Sequence, residues 1–445
     1  MKDTHSHLIA SGTAGRRVHD LYEKLVPIRV IDTHEHLWDE SWRLDHPGDW
    51  TTLFYHYGIT ALKMAGLSDH DADLLFAADT PHRQKWTLFS PYFEKAKNTA
   101  YLKAPVLAIH DIYGIEQINQ DTMQDLTGCM QKMIKPGFYR SVLREKAGID
   151  YCMVNCFDSD AAGNRLPARL SGDTDLLRPD LHGDLFIYPA QRALIMRETG
   201  LDCSSLSSWI QAIDLYFEKN IKQCCSIKIA LAYLGRLNFT PDVPFRTAER
   251  CYADLITGAA RHYEDARPLV DYLFHYVVKK AIACQIPLKF HTGLYSGANS
   301  LNWSAIRHNL EDLAELAIRY HDCSFIAMHL AYPYQHELIL AIRQITNFYA
   351  DMSWSWIVDP FAASGFLKSA LTAAPVSKIM GFGGDYAFPE NTYGHLQLTR
   401  QFMAGALAEL VEAGYFSLQD AVQAAQYVLH DSAQAVYRRQ PEPVK

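Results

Sequence analysis

His34 and His36 stand two residues apart in the segment Ile31-Asp32-Thr33-His34-Glu35-His36. In an extended strand alternate side chains share a face, so both imidazoles point the same way and can share a metal ion. The same spacing recurs at His5-Ser6-His7, but no strand-like run precedes it, and no chemistry is expected there. Further along, His291 lies in Lys289-Phe290-His291-Thr292-Gly293 and His329 in Ala327-Met328-His329-Leu330. Asp385 lies in Gly381-Phe382-Gly383-Gly384-Asp385-Tyr386. Imidazoles gathered with one carboxylate make a ligand set for zinc, or for manganese, iron or another borderline divalent ion.

Each of these residues follows a short apolar run with strand character: Val30–Thr33, Ile286–Phe290, Ser324–Met328 and Lys378–Phe382. Four more runs complete the series, at Ile149–Phe157, Leu185–Pro189, Cys225–Tyr233 and Asn347–Met352. Most are too apolar to carry a solvated face, as expected of parallel strands covered on both sides. The later intervals are long enough for a crossover helix, for example Ser304–His321. The series predicts an α/β fold, a (β/α)8 TIM barrel, whose strands end together at one mouth. The candidate ligands then follow strands one, five, six and eight. The interval 37–148 is too long for a simple crossover and has helical spacing. It predicts a helical insertion after strand one, a cap or lid within a single domain spanning 1–445.

The chain has 445 residues, with 42 Lys+Arg against 50 Asp+Glu and a formal charge of −8. That balance, without a long basic block, argues against a nucleic-acid or anionic-membrane partner. No apolar run approaches the roughly 18 residues of a membrane-spanning helix. The first residues lack the basic start and apolar centre of a signal peptide, so a cytoplasmic location is expected. Nine cysteines without CxxC pairs read as reduced thiols. Phosphate-loop, dinucleotide-binding and nucleophile-elbow motifs are missing from the sequence. A small-molecule substrate and a homo-oligomeric assembly are expected.

Val30–His36, Phe290–Gly293, Met328–Tyr334 and Gly381–Asp385 together resemble the amidohydrolase superfamily of metal-dependent barrel enzymes. Lys228–Tyr233, Tyr349–Ser353 and Gly384-Asp385 with Pro389-Glu390 are most similar to its amidohydrolase 2 branch, which includes nodulin-like domains fused to glutamine-synthetase-type domains. The chain also resembles the uronate isomerases, a neighbouring group with a large helical insertion after the first strand. The resemblance spans residues 28 to 435 and implies roles for particular residues. His34, His36, His291 and Asp385 would hold the metal, and Asp385 would also take a proton from water. His329 would bind a second metal, or orient the substrate or the water. Zinc is expected before manganese or iron, and one ion rather than two. Lys228 stays open between a carboxylated lysine bridging two metals, a structural ion pair and a contact to a substrate carboxylate. Glu35 points to the opposite face of a regular strand and reads as structural.

The implied activity is hydrolysis of an amide or related C–N bond in a small molecule. A metal lowers the pKa of its water towards neutrality, and a carboxylate relays the proton. Non-oxidative decarboxylation of an aromatic or unsaturated carboxylic acid, or uronate-type isomerisation, would use the same site. A barrel keeping its metal only as a structural element is the non-enzymatic alternative. Residues in loops after strands make barrel pockets, so Tyr233, Trp303, Tyr334, Trp354, Trp356 and Tyr386 are candidate substrate contacts, with Arg140 just before the second run. Trp354 and Trp356 alternate, so at most one of them faces the mouth.

Overall fold

Val30–Glu35 has every residue buried, and in it the strand period that sets His34 and His36 on one face is realised. The computed structural model describes residues 13–155, 158–159, 165–166 and 173–438. His5, His7 and Phe157 lie outside the described residues. In chain order the strands that organise the site are β1 (Val30–Glu35), β2 (Ile149–Val154), β3 (Leu181–His182), β4 (Ile227–Ile229), β5 (Leu288–Phe290), β6 (Phe325–Ala327), β7 (Phe348–Asp351) and β8 (Ile379–Met380). Seven of them fall on the expected runs. The exception is the third: Leu185–Pro189 is helical, as Asp184–Ile187 and a 3-10 turn from Pro189, and the strand lies just before it at Leu181–His182. A short apolar run has the same composition in a buried strand and in a buried helical turn, so periodicity cannot separate them.

The chain packs as two compact units. The first takes its residues from the stretches 1–152, 295–301 and 352–433, the second from 153–294, 302–351 and 434–445. In the first unit β1 lies beside β2 on one side. On its other side runs the segment that continues β8, through Thr33 N–H to Phe382 O (3.1 Å), Asp385 N–H to His34 O (2.8 Å) and His36 N–H to Tyr386 O (3.0 Å). The first and last strands of the chain are therefore neighbours, in the same direction.

Residues 37–148 are mainly helical, including Glu40–Asp45, Gly58–Met64, His82–Ala96, Ala100–Tyr113 and Gln120–Met133. Their tie to the end of the chain is close. Buried Arg43 donates to Glu390 (2.8 Å) and lies over the Phe388 ring, and Tyr113 OH donates to Glu390 (3.0 Å). The helices Ala100–Tyr113 and Pro389–Glu412 touch at Gly394, where a Cβ would lie 1.9 Å from the Ala104 carbonyl oxygen.

In the second unit β3, β4, β5, β6 and β7 form a parallel sheet in sequential order. The register places His182 beside Lys228 and Lys228 beside Lys289. Phe290 packs towards Phe274 of the covering helix Arg267–Cys284 (ring centroids 6.2 Å apart). By alternation Lys289 and His291 point to the face away from that helix, and Lys228 shares that face with Lys289. Lys289 is fully buried there in an ion pair with Asp180, whose other oxygen accepts from Ser226 Oγ (2.5 Å).

Two substitutions test this packing. Gly→Ala inside a helix ordinarily stabilises by up to ~1 kcal/mol. Gly394→Ala should instead destabilise by about 1–3 kcal/mol through overpacking, read as a lowered urea midpoint. Lys289→Met should cost about 3–5 kcal/mol because it strands the Asp180 carboxylate, and the double variant with Asp180→Leu should recover most of that loss.

Candidate metal centre

Two strand ends supply the donors of the first unit. β1 brings His34, His36 follows directly after it, and the segment after β8 brings Asp385. His36 Nε2 lies 3.1 Å and His34 Nε2 3.5 Å from Asp385 Oδ1, and one donor atom of each residue lies within 4.8 Å of the others. A tetrahedral ion with bonds of about 2.0–2.1 Å needs its donors about 3.4 Å apart. The set therefore fits a divalent metal in spacing and in chemistry, two imidazoles and one carboxylate. His34 and Asp385 are buried and His36 is partly exposed. Three protein donors would leave coordination positions for water or substrate, the pattern of a catalytic rather than a structural site.

Asp385 adopts φ +61°, a left-handed conformation that costs a non-glycine residue free energy and persists only where its surroundings hold it. The backbone on both sides is anchored. Gly384 N–H donates to Asp32 Oδ1 (3.2 Å), and the Gly384 carbonyl accepts from His395 Nδ1 (3.0 Å). Tyr386 N–H donates to Glu35 Oε2 (2.6 Å), whose other oxygen accepts from Thr392 Oγ1 (2.7 Å). A Cβ on Gly384 would sit 1.9 Å from Glu35 Oε1, so glycine is required there. Burial, and then the neighbouring Asp32 carboxyl, push the Glu35 carboxyl well above the usual range.

The insertion reaches the same surroundings through His56 and Tyr57. The His56 ring lies 6.1 Å from that of His36 and 5.8 Å from that of Tyr386. Tyr57 stacks on both Trp354 (5.0 Å) and Tyr101 (5.2 Å). Burial, then the His36 charge, push His56 down to about 4, with Asp385 opposing. Burial likewise pushes His395 down to about 4, against its bond to the Gly384 carbonyl and the charge of Asp385. Both imidazoles are therefore neutral at physiological pH. Sequence reasoning missed His56 and Tyr57, because they lie among short helices rather than at a strand end and no periodicity marks them.

A second polar group sits in the second unit. His291 follows β5 and packs against His329 (4.6 Å) and under Tyr233 (4.3 Å). His291 Nε2 lies 2.9 Å from the Leu294 carbonyl, which leaves Nδ1 as its acceptor in the neutral ring. Thr292 Oγ1 donates to Met328 O (2.5 Å), and a Cβ on Gly293 would meet the backbone of Ala331 and Tyr332 at 2.5 Å. The Thr-Gly pair thus lets the two strand ends approach. His329 itself has φ +61°. Lys228 lies on the strand face that Lys289 shares with His291, which answers the question of register.

The remaining expected contacts are distributed. Trp354 is buried against Tyr57, whereas Trp356 turns away and donates from Nε1 to Gly381 O (2.9 Å). Tyr386 is buried. Trp303 is 59% exposed at the start of the helix Trp303–Arg319, Tyr334 is half-buried just before the helix Gln335–Gln344, and Arg140 is half-buried at the start of the π-helical turn Arg140–Lys146.

Residues 229–439 match a family model described as amidohydrolase. Protein fluG of Emericella nidulans is 26% identical over 203 residues, 44% of this chain but 23% of that longer protein. Among solved structures, the glucuronate isomerase of Caulobacter crescentus superposes with a TM-score of 0.77 at 18% identity, covering 99% of this chain and 98% of its own. The uronate isomerase of Thermotoga maritima gives 0.76 at 15% identity, with 98% and 100% covered. A protein of Lactobacillus casei classed as a metal-dependent hydrolase gives 0.66 at 18% identity, with 94% and 97% covered. These likenesses assign the TIM-barrel α/β fold. The resemblance to the amidohydrolase superfamily read from the sequence is thus matched by the amidohydrolase model over residues 229–439, and the solved structures add likeness in fold.

Proposed function

We propose that the protein is a metal-dependent hydrolase acting on an amide or related C–N bond of a small molecule. The observation that carries this reading is the set of buried His34 and Asp385 with partly exposed His36, spaced for one divalent ion. Zinc suits two imidazoles and a carboxylate, with manganese or iron as alternatives. A bound ion would supply a positive charge that polarises a carbonyl or activates water at neutral pH. The chain's own residues do the rest. Asp385, held by its two anchored neighbours, can accept the proton of the attacking water at a carboxylate oxygen and return it to the leaving nitrogen. Neutral His56 can accept or donate one hydrogen bond to a substrate oxygen. Tyr57 and Trp354 offer apolar surface beside it and exclude water.

The groups around the donors favour a substrate of low charge. Arg43, the buried guanidinium that the insertion contributes, is already paired with Glu390 and so is not available to a substrate carboxylate. The second reading, aldose–ketose isomerisation of a uronate, is favoured by the end-to-end likeness in fold to the two isomerases. It would need the same ion and a cationic grip on the sugar acid.

Purified protein should carry one zinc, manganese or iron per chain by elemental analysis. His34→Ala and Asp385→Asn should lower that content to near zero. Zinc at 100 times its Kd should raise the unfolding free energy by about 2.7 kcal/mol in the wild type and by far less in either variant. Assay of an amide library beside uronates and aromatic acids decides the reaction. Amine release supports hydrolysis, whereas ketose or carbon dioxide release without hydrolysis overturns it.

A further inference from the structure

We infer that Glu35 is a positioning residue for the metal centre, acting through the backbone of residues 384–386 rather than by touching metal or substrate. The inference rests on the proposed metal site formed by His34, His36 and Asp385. Glu35 stands between the two histidines, and strand alternation turns it to the opposite face. On that face it is fully buried and makes two hydrogen bonds. It accepts from Tyr386 N–H at 2.6 Å and from Thr392 Oγ1 at 2.7 Å. Asp32 in turn accepts from Gly384 N–H and from His34 N–H (3.1 Å).

These contacts form a connected arrangement. The two backbone N–H groups that flank Asp385 each end on a carboxyl from β1, Asp32 and Glu35. The N–H of Asp385 itself goes to the His34 carbonyl. All three consecutive N–H groups of residues 384–386 are thus satisfied by residues of β1, and the His36 N–H returns to the Tyr386 carbonyl. Asp385 is held at φ +61°, where a non-glycine backbone does not stay by preference. If the 386 anchor is lost, the segment can relax towards an ordinary φ. The Asp385 carboxylate would then leave its 3.1 and 3.5 Å positions against the two imidazoles. The side chain of Thr392, on the helix Pro389–Glu412, fixes Glu35 from behind.

A purely structural role would make Glu35 matter for folding alone. A positioning role makes it matter for the donor geometry, and metal affinity reads that without any turnover. The test uses the full-length protein stripped with chelator and titrated with zinc alone against a chromophoric competitor, with thermal unfolding recorded in parallel. Glu35→Leu removes both bonds and should weaken zinc binding about 10–100-fold, the usual effect of losing a group that orients a ligand. Glu35→Gln keeps an acceptor for Tyr386 N–H and an amide that can bond the Thr392 hydroxyl, and should restore affinity close to the wild type. Wild-type zinc affinity in a folded Glu35→Leu protein overturns the inference.

If Glu35→Leu does not fold, Thr392→Val decides. It removes only the bond from behind, so a measurable weakening supports the inference and unchanged affinity overturns it. His34→Ala serves as the control for the underlying site. Zinc binding that survives His34→Ala unchanged would refute the metal site itself, and the inference with it. Loss in His34→Ala with no loss in Glu35→Leu would refute the positioning role alone.

Discussion

The pairing of β1 with the segment that follows β8 is the interaction on which the rest depends. Three backbone hydrogen bonds bring residues 33–36 beside residues 382–386, and with them two histidines and an aspartate separated by some 350 positions in the chain. Joining segments so distant costs loop-closure entropy, but that cost grows only logarithmically with length. The close fit required at Gly383 and Gly384 is paid once the neighbouring strands have formed. A Cβ at Gly383 would lie 3.0 Å from the His34 nitrogen and 2.5 Å from Ser353 Cβ, so the glycines allow an approach that no other residue permits. The spacing of His34, His36 and Asp385 is a by-product of this contact in the strict sense: the strand pairing sets it without any ion.

The insertion belongs to the same logic. Its helices pack by Gly394 against the long helix after the site, and the Arg43–Glu390 pair ties its first helix to the residues just beyond Asp385. A buried ion pair is a weak source of net stability, since desolvation offsets most of the Coulomb attraction. Breaking it by removing one partner is expensive, however, so it acts as a register pin. The insertion is thereby locked to the segment that carries Asp385, and it delivers His56 and Tyr57 to the surroundings of His36 and Tyr386.

What the sequence revealed follows from which signals are local. His34 and His36 were legible because the strand period of two puts alternate residues on one face. Asp385 was legible because it closes an apolar run, and the same signal marked His291 and His329, whose rings meet in the second unit. The third strand was misplaced because Leu185–Pro189 is apolar in a helical turn as it would be in a strand, while the strand itself is two residues long. The orientation of Lys228 was undecidable from sequence, since a slip of one residue moves a side chain to the other face. It became readable once Phe290 was seen against Phe274, which fixes the alternation along β5 and, through the register, along β4. His56 and Tyr57 had no signal at all, because their importance comes entirely from tertiary packing.

The backbone conformation of Asp385 links stability to function. A residue in the left-handed region stores free energy that the rest of the molecule must supply, on the order of 1–3 kcal/mol. Here the supply is visible as carboxyl and imidazole groups, Asp32, Glu35 and His395, placed on the backbone atoms either side of it. Burying two carboxyls side by side is itself unfavourable unless they share a proton, so the clamp is costly in its own right. Stability alone would have been served better by apolar side chains at these positions. Their presence is understandable if what matters is the direction of one carboxylate, held against two imidazoles at the distance a small divalent cation requires.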